Sequence, residues 1–120
     1  RLIVADHEGQ LAAVRQLMSR CELLVPLTVL LETAWVLRSR YGYDRKELAD
    51  ALDGLARLEG VVVEEPAWAG WAIAQHRAGG DIADYFHLVG AREAAAFATF
   101  DRELADRAGA EPPLPIETLT

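Results

Sequence analysis

Apolar positions along this chain switch repeatedly between helical spacing and short unbroken runs. In HEGQLAAVRQLMSR (7–20), Leu11, Val14, Leu17 and Met18 recur at helical intervals. ELLVP (22–26) is a short apolar run closed by a proline, which suits a strand end. Thr28 stands where it can cap a helix running through VLLETAWVLRSRYG, with Gly42 just past its end. Asp44 and Glu47 have capping-box spacing for a helix over 45–58. GVVVEEP (60–66) reads as a buried strand. Pro66 opens a helix to Arg77, and Gly79-Gly80 stop it. Asp81 and Asp84 open a helix over 82–94. AAFATF (95–100) reads as a strand, Asp101 starts a short helix, and EPPLP leads into IETL, an edge strand.

Strands alternating with helices predict an α/β domain with a mostly parallel central sheet flanked by helices. The expected unit is a single domain over 1–120, with 109–120 a proline-containing tail or edge strand. Ligands of such sheets bind beyond the carboxyl ends of the strands. Asp101 falls at such an end.

Composition narrows the partners. At 120 residues the chain can bury a real core. No apolar run approaches the roughly 18–20 residues of a membrane span, so no membrane partner is expected. The lone Cys21 forbids an internal disulfide, and a reducing, cytoplasmic location is the expectation. A net charge of −7 argues against broad electrostatic adhesion to nucleic acid, though not against phosphates met through metal ions. Lys46 is the only lysine, so phosphate contacts would fall to arginine.

The candidate chemistry is carboxylate. Glu32 interrupts an apolar helix and stands one residue late for a capping box with Thr28. Its ordinary explanation is a solvated polar stripe with Thr28, Ser39 and Arg40. Buried without a partner it would cost several kcal/mol, so burial would imply an ion or a base nearby. Asp81 and Asp84 favour a helix N-terminus, and capping alone explains either one. Two such charges at roughly 4 Å repel by about 4 kcal/mol at an effective dielectric of 20, so needing both is less usual. Asp101 suits an N-cap, and Thr99 is most simply a strand residue. His87, on the Asp81/Asp84 face, is in the ordinary case a core residue. His7 and His76 show no partner pattern. Trp35, Trp68 and Trp71 read as core rather than as base-stacking platforms. Arg38 and Arg40 compensate a helix dipole or contact substrate. Taken together, the acids fall where a parallel sheet converges. There a hard divalent cation turns repelling carboxylates into a ligand set.

VPLTVLLETAWVLRSRYGYDRKELADAL, followed by DIADYFHLVGAREAAAFATFDREL, resembles the PIN-domain ribonucleases, in particular VapC-type toxins of bacterial toxin–antitoxin pairs. The likeness covers 1–108. It implies a three-layer PIN-like fold and a Mg²⁺- or Mn²⁺-dependent endoribonuclease that hydrolyses RNA phosphodiester bonds. By resemblance Glu32, Asp84 (in ADYFH) and Asp101 (in TFD) are catalytic metal ligands, with Thr99 as companion. Asp81 and His87 are further candidates, and Arg38 and Arg40 are candidate substrate contacts. The implied partners are RNA, a cognate antitoxin and a second copy of the chain. The family's first metal aspartate lies in a D-T-N-like motif on an N-terminal strand, and no such motif stands here. The resemblance places Asp6 in a loop after a helix, so LIVAD is not taken as that strand. The expectation is a sheet lacking its first strand.

Two readings from other classes compete. A PIN-like module that only binds or dimerises would use its acids as caps. A receiver-like phosphoacceptor domain would need a lysine at a late strand end, and Lys46 lies far from one.

Overall fold

A computed structural model describes residues 8–120. Asp6, His7 and the LIVAD segment lie outside the described residues. The order is α1 (Glu8–Met18), β1 (Leu23–Val25), α2 (Leu27–Ser39), α3 (Arg45–Arg57), β2 (Val61–Val63), α4 (Pro66–Ala78), α5 (Ile82–Gly90), β3 (Phe97–Thr99), α6 (Leu104–Arg107) and β4 (Ile116–Thr118). The expected alternation of helices and parallel strands is therefore present.

The helices α2, α3, α4 and α5 pack on one another and supply most of the core. Leu30, Leu37, Leu48, Leu52, Tyr85, Leu88 and Val89 are its largest fully buried side chains. Trp71 joins this layer edge-on, 5.8 Å from both the Trp68 and Tyr85 rings. Aromatic pairs at such edge-to-face distances add to simple area burial.

The strands form two separate parallel pairs, β1 with β2 and β3 with β4. No strand among the described residues joins them. Leu23 N–H donates to the Gly60 carbonyl and Glu64 N–H to that of Val25, so those two β1 residues face β2. In a parallel ladder the intervening residue points its backbone groups the other way, so those of Leu24 point away from β2. By the same pattern Phe97 and Thr99 face β4, and the backbone groups of Ala98 point away from it. A cavity of about 440 Å³ is lined by Leu27, Thr28 and Leu31 of α2, by Phe86, His87 and Gly90 of α5, and by Phe97 of β3.

Several local expectations need correction. Thr28 does not cap α2, which begins at Leu27 behind Pro26. The cap comes from across the sheet: Glu64 Oε1 accepts from Leu27 N–H at 2.9 Å. The strand β2 is only partly buried, with Val63 inside and Val62 41% exposed. Its alternation reflects a sheet packed on one face. The helix expected over 82–94 ends at Gly90. Arg92 stops it by donating to the Val89 carbonyl at 3.0 Å and to Glu65 Oε1 at 2.9 Å. Asp101 does not cap α6, which starts at Leu104 behind Glu103. The capping box of Asp44 and Glu47 and the Gly79 stop of α4 are as expected.

Candidate functional site: an acidic cluster beside an arginine pocket

The helices α2 and α5 run antiparallel, and two contacts establish the register. Arg38, near the end of α2, stands 3.9 Å from Asp81 at the start of α5. Thr28, near the start of α2, lines one cavity with His87 and Ala91 at the end of α5. Glu32, one turn after Thr28, therefore falls at the level of the middle of the pair, where Asp84 lies one turn before His87. Glu32 is exposed on α2.

Asp81 occupies the N-cap of α5, and its Oδ1 accepts from Ala83 N–H at 2.9 Å. Capping thus accounts for Asp81. Asp84 lies one turn further in and is half-buried. Its carboxylate makes no hydrogen bond or ion pair among the described residues. Burial pushes its carboxyl pKa above the usual range, and the like charges of Asp81 and Asp101 push it the same way. His87 and Arg107 oppose that rise without cancelling it. The Asp101 charge therefore acts on Asp84 across the end of β3.

Asp101 is exposed just past β3. Its backbone N–H donates to Thr99 Oγ1 at 3.0 Å, and its Oδ1 accepts from Glu103 N–H at 2.9 Å. Thr99 thus fixes the backbone from which the carboxylate projects, and the second carboxylate oxygen takes no hydrogen bond among the described residues. His87 is exposed, so its expected place in the core does not hold. It sits on the polar side of an otherwise buried helix, with Phe86 and Leu88 turned inward. Trp35 likewise departs from the core reading. At 66% exposure it stands on α2, one turn from both Glu32 and Arg38.

The sequence reading passed over His76. It is 3% exposed, and its Nδ1 lies 2.9 Å from the Gly80 carbonyl and 3.2 Å from Arg45 Nη1. Donation from Nδ1 to Gly80 satisfies that carbonyl, while Nε2 is buried without a partner. Burial is the main cause holding its pKa below the ordinary value. Arg45 belongs to the same cluster and donates to the carbonyls of His76 at 2.7 Å and Gly80 at 2.6 Å. The i, i+4 spacing of His76 and Gly80 at a helix end was the available signal for this C-terminal cluster.

Arg40 is the C-cap of α2, and its backbone N–H bonds to the Val36 carbonyl. Its side chain therefore has the dipole-compensating position expected of it. Arg38 instead turns toward Asp81.

Residues 1–110 match the family described as the PIN domain. The chain belongs to the PIN-domain family. No curated protein and no solved structure shows a significant match. PIN domains are in general metal-dependent nucleases, so membership points to a nuclease type of function and a divalent cofactor. The carboxylates around the start of α5 supply the oxygen donors that a hard cation takes, and Asp84 has no hydrogen-bond or ion-pair partner among the described residues. Among the described residues, no group of three or more His, Cys, Asp or Glu converges closely enough to hold a metal ion. Among those residues, too, no helix is long and apolar enough to cross a membrane.

Proposed function

We propose that this PIN domain is a metal-dependent endoribonuclease, a VapC-type toxin of a type II toxin–antitoxin pair acting in the cytoplasm. The observation that carries the reading is Asp84. A half-buried carboxylate without a partner among the described residues, raised in pKa by desolvation and then by two neighbouring aspartates, opposes folding and is explained if it serves a cation. Asp84 and Asp101 would hold Mg²⁺ or Mn²⁺ together with Glu32, which lies at the same level of the α2–α5 pair. When bound, the cation supplies charge neutralisation at phosphate and acidification of water. Thr99 orients Asp101 through its backbone, and Asp81 keeps the α5 N-terminus in place. His87, exposed one turn after Asp84 on α5, is a further candidate at the same site. The substrate is RNA, the partners are a cognate antitoxin and a second copy of the chain, and Arg38 faces the substrate side.

The test is Mn²⁺-dependent cleavage of a mixed RNA pool by the parent and by Asp84→Asn. The expected result is cleavage by the parent that stops on chelation and is lost in the variant, with unchanged circular dichroism. Equal cleavage by both proteins would sink the assignment.

A non-catalytic PIN-like binding or dimerisation module is the second reading. The absence of a three-carboxylate group among the described residues favours it. It predicts no Mn²⁺ binding by calorimetry at all, whereas the nuclease predicts binding that Asp84→Asn weakens.

A further inference from the structure

Beside the acids lies a small pocket of opposite sign. A cavity of about 260 Å³ is lined by Arg38, Arg45 and Arg107, with Gly80 and Asp81 completing the wall. Three guanidinium groups against one carboxylate make this place locally cationic in a chain of net charge −7. The compensation of each arginine differs. Arg38 meets Asp81 only at 3.9 Å, with both side chains more than half exposed. Arg107 pairs with Glu103, one turn earlier. Arg45 makes no ion pair among the described residues and rests on backbone carbonyls instead.

The pocket is braced from beneath. The Tyr85 hydroxyl donates to the Gly79 carbonyl at 2.6 Å, with the Arg107 carbonyl at 3.4 Å. His76 and Arg45 share the Gly80 carbonyl. These contacts hold the Arg45 side chain against the Gly80 carbonyl and tie the Arg107 backbone to the same turn through Tyr85, so two of the three charges are held together before any ligand arrives. Preorganised guanidinium forks suit the geometry of phosphate oxygens. One helical turn before Arg38, the Trp35 ring is 66% exposed. An exposed indole has a face on which any nucleobase can stack.

We propose that Trp35 and the Arg38–Arg45–Arg107 pocket together form a binding track for single-stranded nucleic acid, the ring taking a base and the pocket a backbone phosphate, independently of metal. The identity of the ligand rests on the nuclease reading. The combination favours a polynucleotide over an acidic peptide, because a peptide carboxylate gives the indole nothing to stack.

The experiment is fluorescence anisotropy with a labelled uridylate octamer in EDTA, where cleavage cannot occur, over a range of salt. Folding of every variant is checked by thermal melts. Arg38→Gln and Arg107→Gln should each weaken binding and lower the slope of log affinity against log salt by about 0.7, the value for one single-strand phosphate contact. Trp35→Ala should weaken binding by about tenfold with the slope unchanged, as stacking predicts. Arg57→Gln, at an exposed arginine in the last turn of α3, should change neither.

Parent-like affinity and slope in both arginine variants would overturn the proposal, as would an intact affinity in Trp35→Ala. Displacement by an octaglutamate peptide, with losses in the arginine variants alone, would assign the pocket to an acidic protein segment and also overturn it. The nuclease reading stands or falls separately. Octamer binding with the expected signatures but without Mn²⁺-dependent cleavage keeps the track and removes the enzyme. Cleavage with binding insensitive to all three substitutions does the reverse.

Discussion

Two groups of carboxylates on this small domain have opposite relations to their surroundings. On the face shared by α3 and α4, Asp50 takes Lys46 at 2.8 Å and Arg77 at 2.7 Å, while Asp53 takes the other arm of Arg77 at 3.1 Å. Asp50 is accordingly held below its ordinary pKa by hydrogen bonds to Lys46 and Arg77. At the start of α5, Asp84 has no such partner, and desolvation and like charges push it upward. The first group is exposed and fully compensated, and its net effect on folding is small. The second is partly desolvated and uncompensated, so it opposes folding and persists for another reason. The number of acids does not separate the two places; the neighbouring cations do.

The sharpest way to break this difference is to disturb the backbone behind the second group. Gly80 has φ +92°, and a Cβ there would overlap the Tyr85 hydroxyl. Gly80→Ala is expected to destabilise the fold by roughly 1–3 kcal/mol, from left-handed backbone strain alone, with the overlap adding to it. Urea unfolding measures the loss. The same change at Gly70, which has no positive φ and open space around its Cβ position, should be neutral or stabilising, because Ala is the better helix former.

A smaller effect comes from His76, directly beneath. Its folded-state pKa is depressed from 6.5. Below 6.5 the unfolded chain gains a proton on this ring while the folded chain does not, so stability falls as pH drops. The loss continues until pH passes the folded value, and nothing is lost from this group above 6.5. Melting temperatures from pH 8 to pH 5 should therefore fall for the parent. A His76→Gln variant, less stable at pH 8, should show a flatter dependence on pH. A slope unchanged by that substitution would assign the acid sensitivity to other groups.

Much of the architecture was legible because local rules decided it. The Asp44/Glu47 capping box, the Pro66 entry to α4 and the Gly79 stop all rest on residues near in sequence, and the strand expected over 95–100 forms at its centre, 97–99. Elements closed by distant partners were misread. Glu64 caps α2 from just past the end of β2, thirty-seven residues away, so the cap that Thr28 suits locally is supplied elsewhere. Arg92 ends α5 by reaching to Glu65. At the candidate site, the spacing of Asp81, Asp84 and His87 on one helix was readable, and so was Asp101 at a strand end. What sequence could not supply was compensation. Nothing in the motif says that Arg77 satisfies Asp50 and Asp53 while Asp84 remains without a cation. Nor does an apolar context reveal that the Trp35 side chain turns outward.

Asp84→Asn sharpens the comparison further. Because the folded-state pKa of Asp84 is raised above 3.8, the folded chain holds its proton more tightly than the unfolded one. Stability from this group therefore decreases as pH rises from 3.8 through the folded value, and the deficit persists at neutral pH. Asn has the same shape without the charge. The variant should melt above the parent at pH 7 and lose most of that advantage below 3.8, as the carboxyl becomes protonated in the unfolded chain too. A variant less stable than the parent at pH 7 would mean that the carboxylate has an unrecognised favourable partner. The smallest effect belongs to the compensated face. Arg77→Ala removes two exposed ion pairs at once, yet surface pairs contribute little. A slight fall in melting temperature is expected at low salt, vanishing in high salt as screening removes the attraction. If instead the loss is large and insensitive to salt, the aliphatic stem of Arg77 stabilises the α3–α4 packing. The contrast between the two groups would then rest on buried surface as well as on charge.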